Sequence, residues 1–475
     1  MASEDDLCRD YLLLKPEEAS FLDLVRFLCC SEWEKRGFIE CPEEKELTIE
    51  RRWIIFISLL VQKMLLYLRK PMAVTGSVVE LWLNLLSSNG GFLALLLNLL
   101  KGKMALPDKS SAEFTSVVGN LDTRVDLDRS IKNDGLRYSL SLSIMAAKLS
   151  YENEDFVQSV VRDHWKMEFL TFYNFWNEYQ KQFSTQAFMF RDTSSDPALI
   201  VVAFRGTEPF DADAWGTDFD ISWYKLPNVG KIHGGFMKAL GQQKRLGWPK
   251  EIEQGSDSPL LAYYTIRQQL REILHKNEKA KFIVTGHSLG GALAILFVAI
   301  LAYHEESWLM EKLEAVYTFG QPRVGDEQFG KFMEEKFKAH NVRYLRCVYC
   351  NDMVARLPYD DRILMFKHFG TCLYFNSCYR GEVVREEQNK NYFSVVWAIP
   401  KILNAVWELI RSFIIPYIKG PDYREGWFQR LLRIVGLVIP GLSDHGPQDY
   451  DNATRLGSLP STPQLQDPTQ LLKLE

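Results

Sequence analysis

The sequence has little of what metal-binding, redox or nucleic-acid-binding proteins need. Its 475 residues contain only eight cysteines, and the pair Cys347 and Cys350 is not followed by a second pair at the spacing of a zinc site. The formal net charge is -5, so no excess of positive charge favours nucleic-acid binding. We therefore expect no metal ion and no nucleic-acid partner, and we expect the cysteines to be reduced thiols of a cytosolic protein.

No apolar run is long and uninterrupted enough for an ordinary membrane-spanning helix of about 20 residues. The run 53–68 contains Lys63, and the run 78–100 contains a glutamate and a Ser-Ser-Asn-Gly-Gly break. A third apolar region, 392–440, is rich in tryptophan and carries arginines at helical spacing. These patterns favour helices in a lipid interface or a hairpin in one leaflet, and helices packed on a protein core are the alternative. The acidic start of the sequence does not resemble a signal peptide.

The most informative motif is G-x-S-x-G, formed by Gly286, His287, Ser288, Leu289 and Gly290. An apolar stretch that predicts a strand precedes it, and a longer apolar stretch that predicts a helix follows it. This context is typical of a nucleophile elbow, where a serine occupies a strained turn and two glycines let strand and helix pass closely. We predict that Ser288 is a nucleophile and that the backbone N–H of Leu289 is one oxyanion donor. A glycine-rich turn with an idle serine is the alternative.

A nucleophilic serine needs a histidine base and an acid that orients this base, and in α/β-hydrolases both follow the serine in the sequence. Asp352 comes just after a predicted strand, where catalytic groups gather in open α/β sheets. Asp360 and Asp361 are weaker candidates because they fall in a turn. Three histidines, His340, His368 and His445, lie well downstream of Ser288, and the choice of the base stays open between His368 and His445.

Six sequence blocks, in this order, resemble the class 3, or fungal-lipase-like, lipases. They are Phe204–Thr207, His233–Phe236, the serine motif, Tyr317–Gly325, Asn351–Pro358 and Ser443–Tyr450. The resemblance implies an α/β-hydrolase fold with a mostly parallel central sheet, with Asp352 as the triad acid and His445 as the base. Ala355 stands where the family usually has proline.

The same resemblance implies the rest of the site. It assigns the second oxyanion donor to Thr207, which follows a predicted strand over 198–204. It identifies the next segment as a lid whose apolar side chains include Trp215, Phe219 and Trp223, and an ordinary surface loop is the alternative. This chemistry requires no metal and no organic cofactor.

The apolar regions make the chain similar to the plant oil-body lipases, a branch of the class 3 lipases that act on stored triacylglycerol. This implies hydrolysis of triacylglycerol, with di- and monoacylglycerol as further substrates, to free fatty acids on the cytosolic face of a lipid-droplet or membrane surface. We expect a lipid-associating region 1–130, a lipase domain 131–455 with an apolar insert 392–440, and a flexible tail 456–475. A phospholipase or galactolipase acting on bilayer lipids is one alternative, and a droplet scaffold without catalysis is another. The sequence does not determine the oligomeric state.

Overall fold

Helices and strands alternate through most of the computed structural model, which describes residues 10–29, 37–41, 49–133, 135–241, 247–252, 258–358, 360, 366–390, 392 and 394–460. Asp361, the acidic start 1–9 and most of the expected tail, 461–475, lie outside the described residues. The helices are α1 (Phe21–Cys29), α2 (Ile49–Ser88), α3 (Phe92–Leu100), α4 (Val117–Leu121), α5 (Gly135–Leu149), α6 (Glu154–Ser159), α7 (Ala212–Phe219), α8 (Gly234–Ala239), α9 (Ala262–Lys276), α10 (Leu289–Tyr303), α11 (Ser307–Lys312), α12 (Glu327–Ala339), α13 (Ala398–Lys419), α14 (Trp427–Val438) and α15 (Pro447–Leu456). The strands are β1 (Tyr11–Leu14), β2 (Ile39–Glu40), β3 (Glu168–Asn177), β4 (Gln182–Asp192), β5 (Leu199–Phe204), β6 (Trp223–Leu226), β7 (Gly230–His233), β8 (Lys281–His287), β9 (Leu313–Phe319), β10 (Arg343–Tyr349), β11 (Thr371–Phe375) and β12 (Gly381–Val384).

The central sheet has eight strands in the order β12-β11-β10-β9-β8-β5-β4-β3. The five inner strands, from β11 to β5, are parallel, and the strands at both edges are antiparallel. All residues of β5 and nearly all of β8 are buried, because α10 and α5 both pack on these strands. Continuous apolar runs are typical of parallel strands that are covered on both faces. The predicted α/β fold with a mostly parallel sheet is confirmed.

The carboxyl ends of the inner strands meet at one edge of this sheet. Thr207 follows β5, Ser288 follows β8, Gly320 follows β9 and Asp352 follows β10. In open α/β sheets this edge is where ligands bind. The order of the strands therefore brings together segments that are far apart in the sequence.

A second, smaller sheet joins the N-terminal part of the chain to the lipase motifs. Its strands follow the order β2-β1-β6-β7. In this sheet Leu12 of β1 pairs with Trp223 of β6, and Trp223 pairs with His233 of β7. Backbone hydrogen bonds therefore connect the expected lipid-associating region directly to the expected lipase domain.

The helix α2 covers the whole first apolar run and part of the second, since it continues for 40 residues through Pro71. It ends before Gly90 and Gly91, which have positive φ, and α3 follows. Among the described residues, no single helix is long and apolar enough to cross a membrane. The pair Arg52–Ser88 and Phe92–Leu100, bent by 77°, passes this test of length and composition when its two helices are taken together.

Candidate active site

Ser288 occupies a strained turn between β8 and α10. Its backbone φ is +57°, a region that residues with a Cβ rarely adopt and that recurs at functional sites. A Cβ on Gly286 would lie 2.2 Å from the carbonyl carbon of Gly290, and a Cβ on Gly290 would lie 2.2 Å from the carbonyl oxygen of Phe204. Both positions therefore need glycine if the turn is to bring strand and helix this close.

Asp352 and His445 form a hydrogen-bonded pair. Nδ1 of His445 lies 2.9 Å from each carboxylate oxygen of Asp352, which is fully buried. The hydroxyl of Tyr450 donates to Asp352 Oδ2 at 2.5 Å, and the N–H of Val354 donates to Oδ1 at 2.8 Å. These bonds fix the carboxylate, and the carboxylate in turn orients the imidazole so that Nε2 is the nitrogen left to accept a proton.

Gly320 packs directly against this pair. Its φ is +59°, and a Cβ at this position would lie 2.6 Å from Asp352 Oδ2 and 3.0 Å from Cε1 and Nδ1 of His445. The residue lies within the block Tyr317–Gly325, but no feature of the sequence predicts its contact with Asp352 and His445.

His287 links the serine turn to the segment that carries His445. Its Nε2 donates to the carbonyl oxygen of His445 at 2.7 Å, so Nδ1 accepts a hydrogen bond from the hydroxyl of Tyr151 at 2.9 Å. Burial holds the pKa of His287 well below its ordinary value, so its ring is neutral. Nothing in the sequence predicted the contact of Tyr151 with His287, which joins residues 136 positions apart.

Thr207, the expected second oxyanion donor, is buried beside the helix α7. Its hydroxyl donates to Oδ2 of Asp218 at 2.9 Å. Burial raises the pKa of Asp218 to about 7, although the bond from Thr207 acts in the opposite direction. Leu289, the expected first donor, is the first residue of α10, where backbone N–H groups have no partner within the helix.

Two of the three lid candidates lie on α7, and the third does not. Trp215 and Phe219 are on this helix with their ring centroids 6.5 Å apart. Trp223 is buried in the strand β6 instead. The apolar residues after residue 220 therefore belong to a strand and not to the helix beside the site.

The helix α7 is held in place by α2. Arg69 of α2 pairs with Asp213 at 2.7 Å, and the hydroxyl of Ser58 donates to the carbonyl oxygen of Phe219 at 2.8 Å. A Cβ on Gly76 would lie only 2.6 Å from Cβ of Phe210, which precedes α7. The N-terminal helix thus contacts both ends of the segment that the sequence predicts to be a lid.

Ser288 and His445 line the same cavity, which has a volume of about 260 Å³. The lining also includes Thr207, His287, Tyr151 and Trp215. The rest of it is mostly apolar and comes from α4, from the segment before α7, from α14 and from the segment after α14, namely Val117, Val118, Leu121, Pro209, Phe210, Phe428, Leu431, Leu432, Val435, Leu442, Gly446 and Pro447. The sequence did not predict that α4 and α14 would form these walls.

The other histidine candidate has a different environment. Nε2 of His368 donates to the carbonyl oxygen of Ala355 at 2.7 Å and lies 3.8 Å from Glu387. Burial keeps the pKa of His368 well below its ordinary value. Asp360, the weaker acid candidate, pairs with Lys390 at 3.4 Å.

Among the described residues, one group has the composition of a metal site. Cys350, Glu408 and Asp444 present ligand atoms that lie within 4.8 Å of one another, and all three are buried. Burial raises the pKa of each of them, so each side chain holds its proton more tightly than it would in water. A metal ion binds the deprotonated forms, so burial opposes metal binding at this group.

A mostly parallel sheet with a G-x-S-x-G turn at its carboxyl edge defines an α/β-hydrolase. The model of the family "Lipase (class 3)" matches residues 201–362. The chain is 44% identical to the triacylglycerol lipase OBL1 of Arabidopsis thaliana, over 94% of this chain and 95% of that relative. It is 43% identical to the protein of the same name from Nicotiana tabacum, over 87% of this chain and 85% of the relative. The chain belongs to the class 3 lipase family, as the order of its motifs predicts, and it is a carboxylic ester hydrolase.

Solved structures of fungal lipases also resemble this chain. The triacylglyceride lipase of Rhizomucor miehei matches with a TM-score of 0.38 and 23% identity, over 50% of this chain and 79% of that one.

Proposed function

We propose that the chain is a triacylglycerol lipase that releases free fatty acids from stored neutral lipid, and that Ser288, Asp352 and His445 are its catalytic triad. The observation that carries the proposal is the hydrogen-bonded pair of Asp352 and His445 beside an apolar cavity that Ser288 also lines. The plant relatives, which align over almost their whole length, are named triacylglycerol lipases, and this supports the substrate class.

The mechanism follows from the roles of these groups. Nε2 of His445 takes the proton of the Ser288 hydroxyl while Oγ attacks the ester carbonyl carbon, and Asp352 stabilises the imidazolium that forms. The N–H groups of Leu289 and Thr207 bind the oxyanion, and a lost donor of this kind costs roughly 3–4 kcal/mol. His445 then returns the proton to the leaving glyceride oxygen, and water hydrolyses the acyl-enzyme by the same steps.

The enzyme acts, in this proposal, on the cytosolic face of a lipid droplet. Apolar side chains of α3 face water, and Leu93 and Leu100 are 76% and 84% exposed. Exposed apolar surface of this kind marks contact with lipid or with another protein. The region 1–130 would then associate with lipid while the domain 131–455 carries out hydrolysis.

The test is fatty-acid release by the purified chain from emulsified triolein and, in parallel, from phosphatidylcholine vesicles. We expect release from triolein that falls at least a thousandfold in Ser288→Ala, since the residual rate of triad variants comes only from binding and the oxyanion hole. Undiminished release by Ser288→Ala would contradict the triad. Serine-dependent release from vesicles alone would identify a phospholipase, and no release from either substrate would favour a scaffold.

A further inference from the structure

The helix pair α13–α14 has its polar side turned inward and its apolar side turned outward. The inward side of the pair includes Glu408, Arg411 and Arg433, each less than 10% exposed. The outward side, called the outer face here, includes Leu403, Trp407 and Ile410 of α13 and Leu431, Ile434 and Val435 of α14, all 40–64% exposed. Helices on the surface of a soluble protein normally have the opposite arrangement.

The inward charges are paired with one another and with α15, so this orientation is specified by the fold. Arg411 Nη2 pairs with Oδ1 of Asp449 at 2.7 Å, and Arg433 pairs with Glu425 at 2.7 Å and with Asp449 at 3.0 Å. Asp449 lies on α15, four residues after His445. The pair could not turn its apolar side inward without leaving several buried charges unpaired, which is strongly unfavourable.

The outer face is continuous with the candidate active site. Leu431 and Val435 line the cavity that contains Ser288, and both side chains are also 40% or more exposed at the surface. The cavity therefore opens onto the outer face. A protein bound there would cover the opening, whereas an acyl chain arriving from a lipid phase would pass from the outer face to the serine along α14.

The ends of the two helices have the residues of a lipid–water interface. Trp397 precedes α13, Tyr417 lies near its end, and Trp427 begins α14. All three are exposed, as are Lys419 and Arg424 at the connection between the helices. Aromatic rings and cations at such positions suit the headgroup level, so the two helices are suited to lie flat along the surface of the lipid.

We propose that the outer face of α13–α14 is a surface, besides the region 1–130, that the enzyme needs for docking on neutral lipid, and that α14 forms the entrance for the acyl chain. The identity of the substrate rests on the proposed function. The docking on neutral lipid does not rest on the proposed function, because it requires no hydrolysis.

Docking is tested with the double variant Leu403→Glu/Ile410→Glu in a chain that also carries Ser288→Ala. Both changed residues are exposed and lie outside the cavity lining, so the fold has no need of their apolar character. The probe is a triolein emulsion coated with phosphatidylcholine, and the readout is the fraction of protein that floats with it. Phe183→Glu is the matched control, because Phe183 is also an exposed apolar residue, 58% exposed, but lies on β4.

We expect the double variant to float at least tenfold less than the parent and the control to float as the parent does. With Ser288 restored, the double variant should lose at least tenfold more of its triolein hydrolysis than of its p-nitrophenyl butyrate hydrolysis, because the soluble ester needs no lipid surface.

Unchanged flotation of the double variant overturns the proposal. A parent dimer that the double variant dissociates, with flotation intact, would assign the outer face to a second copy of the chain. If the parent floats but Ser288-dependent release from triolein is absent, the proposed function fails and the docking surface stands.

Discussion

At the scale of single residues, Gly320 tests how strongly activity depends on the geometry of the Asp352–His445 pair. We expect Gly320→Ala to lower kcat for p-nitrophenyl butyrate at least tenfold with KM changed less than twofold, because the added methyl group displaces the acid and the base and not the bound ester. Steady-state kinetics gives both parameters.

Gly102→Ala is the matched control for this change. Gly102 has a φ of +64°, so both variants bear the same strain of about 1–2 kcal/mol, but nothing lies within 4 Å of a Cβ on Gly102. If both variants lose activity equally, the contact of Gly320 with the pair is not the cause.

The raised pKa of Asp218 should make the stability of the folded chain depend on pH. Burial raises its pKa to about 7 from 3.8, so the folded chain binds this proton more tightly than the unfolded chain. The resulting stabilisation is full below pH 3.8 and is lost as the pH rises to about 7. Asp218→Asn cannot titrate but still accepts the bond from Thr207. The Tm of the variant minus that of the wild type should therefore be larger at pH 8 than at pH 5, and an equal difference at both pH values would contradict the burial effect.

The sequence predicts those site residues whose geometry is local. The turn at Ser288 follows from five adjacent residues, and its backbone strain and glycine contacts are present in the structure. Choosing between His368 and His445 required a family resemblance, because the partner of His445 is 93 residues away. The contacts of Gly320 and Asp218 could not be predicted, since each joins segments that only the folded chain brings together.

At the scale of helices and strands, a continuous apolar run is a reliable signal, whereas a proline need not end a helix. The strand predicted over 198–204 is observed at Leu199–Phe204, because a fully buried parallel strand must be apolar throughout. Pro71 lies inside α2 and does not end this helix. The carbonyl group of Tyr67 that Pro71 leaves unpaired is on an exposed turn of the helix, where water can satisfy it.

The packing of α2 on α7 gives an element-scale prediction. We expect Gly76→Ala to separate the two helices, since the new Cβ would lie 2.6 Å from Cβ of Phe210. Amide hydrogen exchange in α7 should become at least tenfold faster. Gly216→Ala, within α7 itself, meets nothing within 4 Å and replaces a poor helix former, so exchange should slow or stay the same. Unchanged exchange in Gly76→Ala would mean that α2 does not hold α7.

At the scale of the whole molecule, the apolar insert is attached to the lipase through buried charge. The sequence indicated the apolar side of α13 and α14, but the charges that hold them come from several elements and have no shared pattern in the sequence. The contacts of the N-terminal part with the rest of the chain could not be predicted from the sequence either. The division near residue 130 stays a prediction, and the pairing of β1 with β6 across it depends on a contact over more than 200 residues.

Substitution of Arg433 tests this attachment. Arg433→Met removes one partner from a buried network and should cost roughly 3–5 kcal/mol of unfolding free energy. Soluble-ester hydrolysis should fall as well, because Asp449 of the network follows His445 closely. Arg430→Met, one turn earlier on α14 and partly exposed, should lower the Tm much less. Equal shifts in thermal melting would show that the network does not hold the insert.

The outward apolar side of α13–α14 also determines how its attachment depends on temperature. Uncovering apolar surface raises the heat capacity by roughly 0.45 cal/K/mol per Å², whereas uncovering polar surface lowers it by roughly 0.26 cal/K/mol per Å². Detachment of the pair in water would uncover Glu408, Arg411 and Arg433 together with a few apolar side chains such as Ala405 and Ile415, since most of its apolar side chains are already partly hydrated. Its heat-capacity change per unit of uncovered surface is therefore smaller than that of the sheet core. The free energy of attachment should curve less with temperature than that of the apolar sheet core, which follows the curved dome of an ordinary globular domain.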